Sequence, residues 1–214
     1  MTKNAPALQA GVSIALFCTL IIAGFNAWSE FQVSRLSAQR SSVNQTPMSR
    51  SDYYALLSSQ SYISSARGAL LAGSMLAHAA DKASSNDAII YSDSARAYLD
   101  QAEIQRPGWA QVTLARIYAS RSAAAANKFG TTGSLLRLSY QQAPFLTSEG
   151  PWRVNQVLGH WNETDESTRK SAAAETVYLS SLSRANRVHM RLIVSNTPLA
   201  PYVAEAQKAY QAID

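Results

Sequence analysis

The chain of 214 residues has little of what most catalytic and metal centres need. One cysteine, Cys18, excludes an internal disulfide and any multi-cysteine zinc or iron–sulfur site. Only three histidines are present, and no HExxH, GxSxG or phosphate-binding glycine pattern occurs. We therefore expect a protein that is not an enzyme and that holds no cofactor and no metal.

Charged residues are also scarce, at 15%, whereas hydrophobic residues make up 47% of the chain. Nineteen Lys and Arg against 14 Asp and Glu give a net charge of +5. Nucleic-acid-binding proteins usually show a denser basic patch, so no nucleic-acid partner is expected. The hydrophobic fraction is too high for a disordered chain, and the length suits one domain with a real core.

No charged residue occurs from Asn4 to Ser29, and residues 11–25 read GVSIALFCTLIIAGF. About 20 apolar residues in a helix cross a bilayer, so residues 1–29 are predicted to be a transmembrane signal-anchor. A cleaved secretory signal is the alternative, but cutting after Ala27 would put the large Phe25 where a small residue is needed.

Small residues recur every four positions in this segment, at Gly11, Ala15, Thr19 and Ala23. Such a stripe permits close packing of helices within a membrane, although apolar segments also contain many small residues by chance. The positive charges on the two sides of the segment do not decide its orientation.

Residues 30–50 are polar and contain Pro47, and we interpret them as a linker. Residues 51–214 show helical periodicity almost throughout and no period-two strand pattern, which predicts an all-helical domain. Capping residues and breakers predict helices over 51–82, 86–106, 109–128, 132–142, 151–162, 164–195 (or broken near 183) and 202–213.

The pattern Ala95-x-x-x-Leu99-x-x-Ala102-x-x-x-x-Pro107 resembles the second helix of a tetratricopeptide repeat. In that family the small residues let two helices of a hairpin approach, and the proline ends the second helix. A weaker echo occupies Thr132, Leu136, Ser139 and Pro144, and the resemblance covers residues 66–163. It implies an all-α, degenerate array of two to three helical hairpins.

The resemblance is incomplete. Ala83 stands at the usual glycine and Asn86 at the usual tyrosine of the first-helix motif. The echo also follows the first pattern after 37 residues, which does not keep the roughly 34-residue period. An irregular helical bundle therefore remains the alternative architecture.

Residues 138–161, LSYQQAPFLTSEGPWRVNQVLGHW, are similar to a segment of a second group of helical-repeat proteins. They resemble the Ala-Pro-aromatic turn and Trp-containing helix of small anchored repeat proteins of bacterial exopolysaccharide assembly. With the predicted anchor, this resemblance implies a single-pass protein of the bacterial inner membrane with a periplasmic C-terminal domain.

Arg184, Arg187 and Arg191 share one helix face, and no acidic residue lies between Glu175 and Glu205. These arginines could bind a partner protein, an anionic glycan or lipid phosphates, although a solvated helix face is the simpler interpretation. Trp109 and Trp152 are the aromatic candidates for partner contacts, with core packing as the alternative.

His160, Glu163, Asp165 and Glu166 form the densest cluster of potential metal ligands. Capping of the following helix already explains the acids, so we expect no metal site there. His78 and His189 lie in helical segments and are interpreted as structural.

Stacked helical hairpins offer an extended surface, which suits binding better than catalysis. The sequence thus predicts a membrane-anchored scaffold or adaptor that binds protein partners in a membrane complex, in the setting of envelope polysaccharide assembly or export. The alternative is a structural accessory subunit of a multisubunit membrane complex, packed through the small-residue stripe.

Overall fold

The structure is a computed structural model that describes residues 48–58, 65–122 and 128–212, together with single helical residues at 19, 21, 23, 27, 30, 31 and 34. The three continuous ranges form nine α-helices and one short 3-10 turn, without β-strands, so the prediction of an all-α chain is confirmed. The helices are α1 (Arg50–Ser58), α2 (Ala66–Lys82), α3 (Ser85–Gln105), α4 (Ala110–Ala119), α5 (Thr132–Gln142), α6 (Gly150–Gly159), α7 (Glu166–Leu182), α8 (Arg184–Val194) and α9 (Ala200–Gln211), and the 3-10 turn is Trp161–Glu163.

Serine side chains set two boundaries. The predicted helix over 51–82 is in fact two helices, because Ser65 caps a separate α2 by accepting a hydrogen bond from the Gly68 amide at 3.1 Å. The segment 164–195 is broken at Ser183, which is fully extended and accepts from the Asn186 amide at 3.0 Å. Serine competes for backbone groups in this way, so it favours helix starts over helix interiors.

Each helix packs mainly against helices that are near it in the sequence. α2 and α3 form the most extensive pair, α4 packs against α2, α3 and α5, and α7 packs against α5, α6, α8 and α9. Among the described helices, every principal contact therefore joins neighbours or next neighbours along the chain, an arrangement typical of elongated helical stacks.

Two hydrophobic cores meet at α4. Val112 packs with α1, α2 and α3 in the first core. Leu114 and Ile117 pack with the helices from α5 to α9 in the second core. Val112 is two positions from Leu114 and five positions from Ile117, and residues at these spacings point to different sides of a helix. The short helix α4 therefore joins the two halves of the domain.

The predicted location in a membrane is wrong for the residues that the structure describes. None of their helices is both long enough and apolar enough to cross a bilayer. The longest, α3, has 21 residues but carries charges such as Asp87, Asp93 and Arg96 along its length. The prediction of a single-pass inner-membrane protein with a periplasmic domain is corrected accordingly.

The predicted anchor falls mostly outside the described residues. Gly11 and Ala15 of the small-residue stripe are outside them, while Thr19 and Ala23 are helical and exposed. Glu30, in the predicted linker, is helical and pairs with Arg67 of α2 at 3.2 Å.

Candidate functional site

An open groove, here called the central groove, runs between α2 and α4 and reaches the start of α6.

 The central groove has a volume of about 560 Å³. Side chains that recur every three or four positions along two helices line it, because such residues share one helix face. The lining residues are Leu70, Leu71, Ser74, Met75 and His78 of α2, Gln111, Leu114, Ala115 and Tyr118 of α4, and Glu149 and Trp152 at the start of α6.

Most of these side chains are half-buried, so the groove presents apolar surface that solvent still reaches. Met75 and Leu114 are buried and form the deepest part. Leu71 and Ala115 stand on the opposing helices, α2 and α4, which pack side by side. The two helices therefore form opposing apolar walls of one open groove.

A histidine–tyrosine pair bridges the two main walls of the central groove. His78 Nδ1 lies 2.6 Å from the Tyr118 hydroxyl, and the two rings stack with centroids 5.9 Å apart. Burial, with a smaller effect from the charge of Asp81, raises the pKa of Tyr118, although Arg121 opposes this shift. The Tyr118 hydroxyl therefore stays protonated at neutral pH, and the pair fixes α2 relative to α4.

The two predicted tryptophans have different positions. Trp152 is half-buried, packs against the second core and lines the central groove. Trp109 packs against the first core and lies under the Arg106 guanidinium, 4.6 Å from the ring centroid, away from the groove. Of the two, only Trp152 is in a position to contact a partner in this groove.

The residue after Trp152 is a buried arginine that the sequence analysis did not select. Arg153 and Glu175 are both fully buried and form an ion pair through the guanidinium Nη2 and the carboxylate Oε1. Arg153 Nε also donates to Glu175 Oε2 at 3.1 Å. A charge without a partner would be costly at such a depth, so each group depends on the other.

Backbone groups and a tyrosine complete this network. Arg153 donates to the carbonyl oxygens of Ala143 at 2.7 Å and Pro144 at 3.1 Å. Glu175 accepts from the Tyr140 hydroxyl at 3.0 Å and from the Leu146 amide at 2.9 Å. The network ties α5, the following loop, α6 and α7 together, and so it sets the position of the neighbouring Trp152.

A second groove, here called the basic groove, opens between α8 and α9. Both helices pack against α7, and the groove between them has a volume of about 690 Å³. Buried side chains of α7 and α8 form its floor, and exposed or half-buried side chains of α8 and α9 form its walls. The main lining residues are Thr176, Val177, Met190 and Val194 on the floor, and Arg187, Arg191, Val203, Gln207 and Tyr210 on the walls.

The predicted arginine face is divided by this groove. Arg187 and Arg191 line the groove, whereas Arg184 is exposed outside it. Arg187 Nε donates to the Ser180 carbonyl at 3.3 Å, which holds its side chain across the rim. Within the described residues, none of the three arginines forms an ion pair.

The acidic cluster after α6 is occupied by local contacts. His160 Nδ1 lies 2.9 Å from Glu163, and Glu166 pairs with Lys170 at 2.8 Å. Asp165 caps α7 by accepting from the Thr168 amide at 2.7 Å, and this hydrogen bond lowers the pKa of the Asp165 carboxyl. Across the described ranges, no three His, Cys, Asp or Glu side chains are grouped to hold a metal ion.

No protein-family description, no curated protein and no solved structure matches this chain. The residues of the two grooves are therefore the main indication of its function.

Proposed function

We propose that the chain is a non-enzymatic scaffold that binds protein partners through its helical surface. The observation that supports this most is the central groove, where half-buried apolar and aromatic side chains from three helices line one open surface. Soluble proteins rarely leave contiguous apolar surface exposed unless it meets a partner or a ligand. A partner segment with a bulky apolar side chain fits between Leu71, Ala115 and Trp152.

A tetratricopeptide-like pairing of the helices is part of this proposal. Ala95, Leu99 and Ala102, which carry the motif, are fully buried on α3. A Cβ atom at Gly73 of α2 would lie 2.8 Å from Leu99 Cγ, so the hairpin depends on a small residue there. In tetratricopeptide-like pairing α2, α4 and α6 are first helices, and their shared side would be the binding surface.

The similarity to repeat proteins of exopolysaccharide assembly stays a prediction. The residues behind it have a packing role in this fold, because Arg153 binds the carbonyl oxygens of Ala143 and Pro144. Phe145, in the same turn, packs on Tyr178 with ring centroids 4.9 Å apart. A turn stabilised in this way supports the shape of a scaffold whatever process it serves.

Site-specific photo-crosslinking in the native cell tests the proposal. A photoreactive side chain replaces Gln111, which is half-buried in the groove, and in a control chain it replaces Ile104, which is 80% exposed on α3. We expect Gln111 to crosslink one discrete protein that Ile104 does not capture. That protein, once purified, should bind the full chain, and Ala115→Glu should weaken this binding by about tenfold or more.

Two results would overturn the proposal. The first is equal labelling of the same proteins from Gln111 and Ile104, which would indicate random encounters. The second is a purified partner whose affinity for the chain is unchanged by Ala115→Glu, since a carboxylate buried in an apolar contact should oppose binding. A matched Ile104→Glu chain controls for the added negative charge.

A further inference from the structure

We propose that the basic groove between α8 and α9 binds an acidic, amphipathic helix of a partner protein. This proposal deepens the scaffold function and rests on it, but it concerns a surface separate from the central groove. Arg187 and Arg191 lie one turn apart on α8 and line the groove. Their guanidinium groups match two carboxylates spaced one turn apart on a bound helix.

The charge balance of the groove favours an acidic partner. Two arginines line it, and none of the described lining residues is acidic. Neither Arg187 nor Arg191 has a carboxylate partner within the described residues. Carboxylates placed there would gain charge-assisted hydrogen bonds without displacing an existing ion pair.

The apolar floor favours a protein helix over a polyanionic glycan. Met190, Val194 and Val203 lie beneath or opposite the arginines, so an occupant needs an apolar face beside its acidic one. An amphipathic helix has both faces, whereas a charged polysaccharide has no apolar side to bury. α9, one wall of the groove, has 12 residues, about 18 Å of helix, which suits an occupant of about three turns.

This chain itself offers no suitable acidic segment. Its densest acidic cluster lies at residues 163–166, where each carboxylate already has a side-chain partner within 4 Å. Those pairs are Glu163 with His160, Asp165 with Arg137 and Glu166 with Lys170. A second copy of the chain would have to break these pairs to fill the groove, so a different protein is the better occupant.

Fluorescence anisotropy with a defined peptide tests this proposal on the full chain. The probe is a labelled helical peptide of about three turns, with leucines on one face and glutamates one turn apart beside them. We expect saturable binding with a Kd below about 100 µM. The double variant Arg187→Gln/Arg191→Gln should weaken binding by about tenfold or more. Gln207→Glu should also weaken binding, because it adds a negative charge to the wall of the groove.

A matched control separates the groove from general charge attraction. Arg184→Gln/Lys208→Gln removes the same number of charges from nearby positions that do not line the groove. This control should change the affinity by less than about threefold. Ala115→Glu, in the central groove, should leave peptide binding unchanged, so that failure of the proposed function and failure of this inference remain distinguishable.

Several results would overturn the inference. A Kd above about 100 µM, or equal losses of affinity in the groove variant and its control, would show that the peptide does not bind in this groove. Equal binding of a peptide with glutamine for glutamate would exclude charge recognition. Stronger binding to dextran sulfate or to phosphatidylglycerol vesicles, again lost with Arg187→Gln/Arg191→Gln, would assign the groove to a glycan or a lipid. Concentration-dependent dimers that the same variant abolishes would assign it to a second copy.

Discussion

Arg153 of α6 and Glu175 of α7 form an ion pair from which solvent is fully excluded. Each partner is the sequence neighbour of a groove residue, because Trp152 in the central groove precedes Arg153, and Thr176 on the floor of the basic groove follows Glu175. Its hydrogen bonds to Ala143, Pro144 and Leu146 also fix the loop between α5 and α6. One buried contact therefore holds the loop between α5 and α6 and adjoins a residue of each candidate surface.

Removing one partner of this pair should be strongly destabilising. Glu175→Gln leaves the Arg153 charge buried without a counter-ion, which costs about 3–5 kcal/mol in comparable sites. We expect the free energy of unfolding, measured by urea denaturation with circular dichroism, to fall by that amount. Lys170→Gln, which breaks the exposed pair with Glu166, serves as the control and should leave the midpoint almost unchanged.

The double variant Arg153→Met/Glu175→Leu should recover part of that loss, since it leaves no buried charge. Recovery should be incomplete, because the carbonyl oxygens of Ala143 and Pro144 would lose their donor. A double variant less stable than Glu175→Gln would contradict this interpretation of the pair.

Two buried tyrosines should make the protein sensitive to alkali. Burial raises the pKa of Tyr98 to about 12, and burial together with the charge of Glu175 raises the pKa of Tyr140 well above its usual value. In the unfolded chain both phenols ionise near a pKa of about 10. Their contribution to stability is therefore complete below about pH 10 and is lost as the pH rises toward about 12.

Urea midpoints measured from about pH 8 to about pH 11 check this prediction. Tyr98→Phe should make the decline above about pH 10 less steep, because one of the two groups no longer ionises on unfolding. If the urea midpoint of Tyr98→Phe declined with pH as steeply as that of the wild-type chain, the Tyr98 phenol would not contribute to the alkali sensitivity.

Close backbone packing at the start of α5 should not tolerate a methyl group. A Cβ atom at Gly133 would overlap the Glu163 carbonyl oxygen in the 3-10 turn. Gly133→Ala should therefore lower the free energy of unfolding by about 1–3 kcal/mol. Gly159→Ala is the matched control, because no atom lies within 4 Å of its Cβ position. Equal stabilities of the two variants would contradict the packing of this turn against α5.

The cap of α7 makes a smaller, separate contribution to the stability of the fold. Asp165→Ala removes the acceptor for the Thr168 amide and should cost about 1 kcal/mol, whereas Asp165→Asn can still cap the helix. The hydrogen bond lowers the pKa of Asp165, so the benefit of its ionised form is present above about pH 4 and lost as the pH falls further. Thermal unfolding near neutral pH compares the variants, and equal losses for Ala and Asn would argue against capping.

Helix positions could be predicted where local signals are strong. α5 spans Thr132–Gln142 as predicted, because a threonine cap precedes it and Pro144 follows it. The segment over 51–82 was predicted as one helix because its apolar periodicity continues past a serine-rich stretch. The cap formed by Ser65 divides it there, and a capping serine cannot be told from a helical one by periodicity alone.

The candidate sites could be predicted only in part. Arg187 and Arg191 were found because unneutralised arginines on one helix face are visible in the sequence. The central groove was not predicted as a unit, since Leu71, Ala115 and Trp152 come together only when three helices pack. The buried pair of Arg153 and Glu175 was missed for the same reason, although an arginine among the apolar residues of α6 is the signal that could have indicated it.

The most direct test of the central claim is the affinity of the crosslinked partner for the purified chain, measured by isothermal titration calorimetry. We predict that Ala115→Glu weakens binding by about tenfold or more, while Ile104→Glu, on the exposed side of α3, leaves it unchanged. Equal affinities of the wild-type chain and Ala115→Glu would contradict the assignment of the central groove as the surface that binds protein partners.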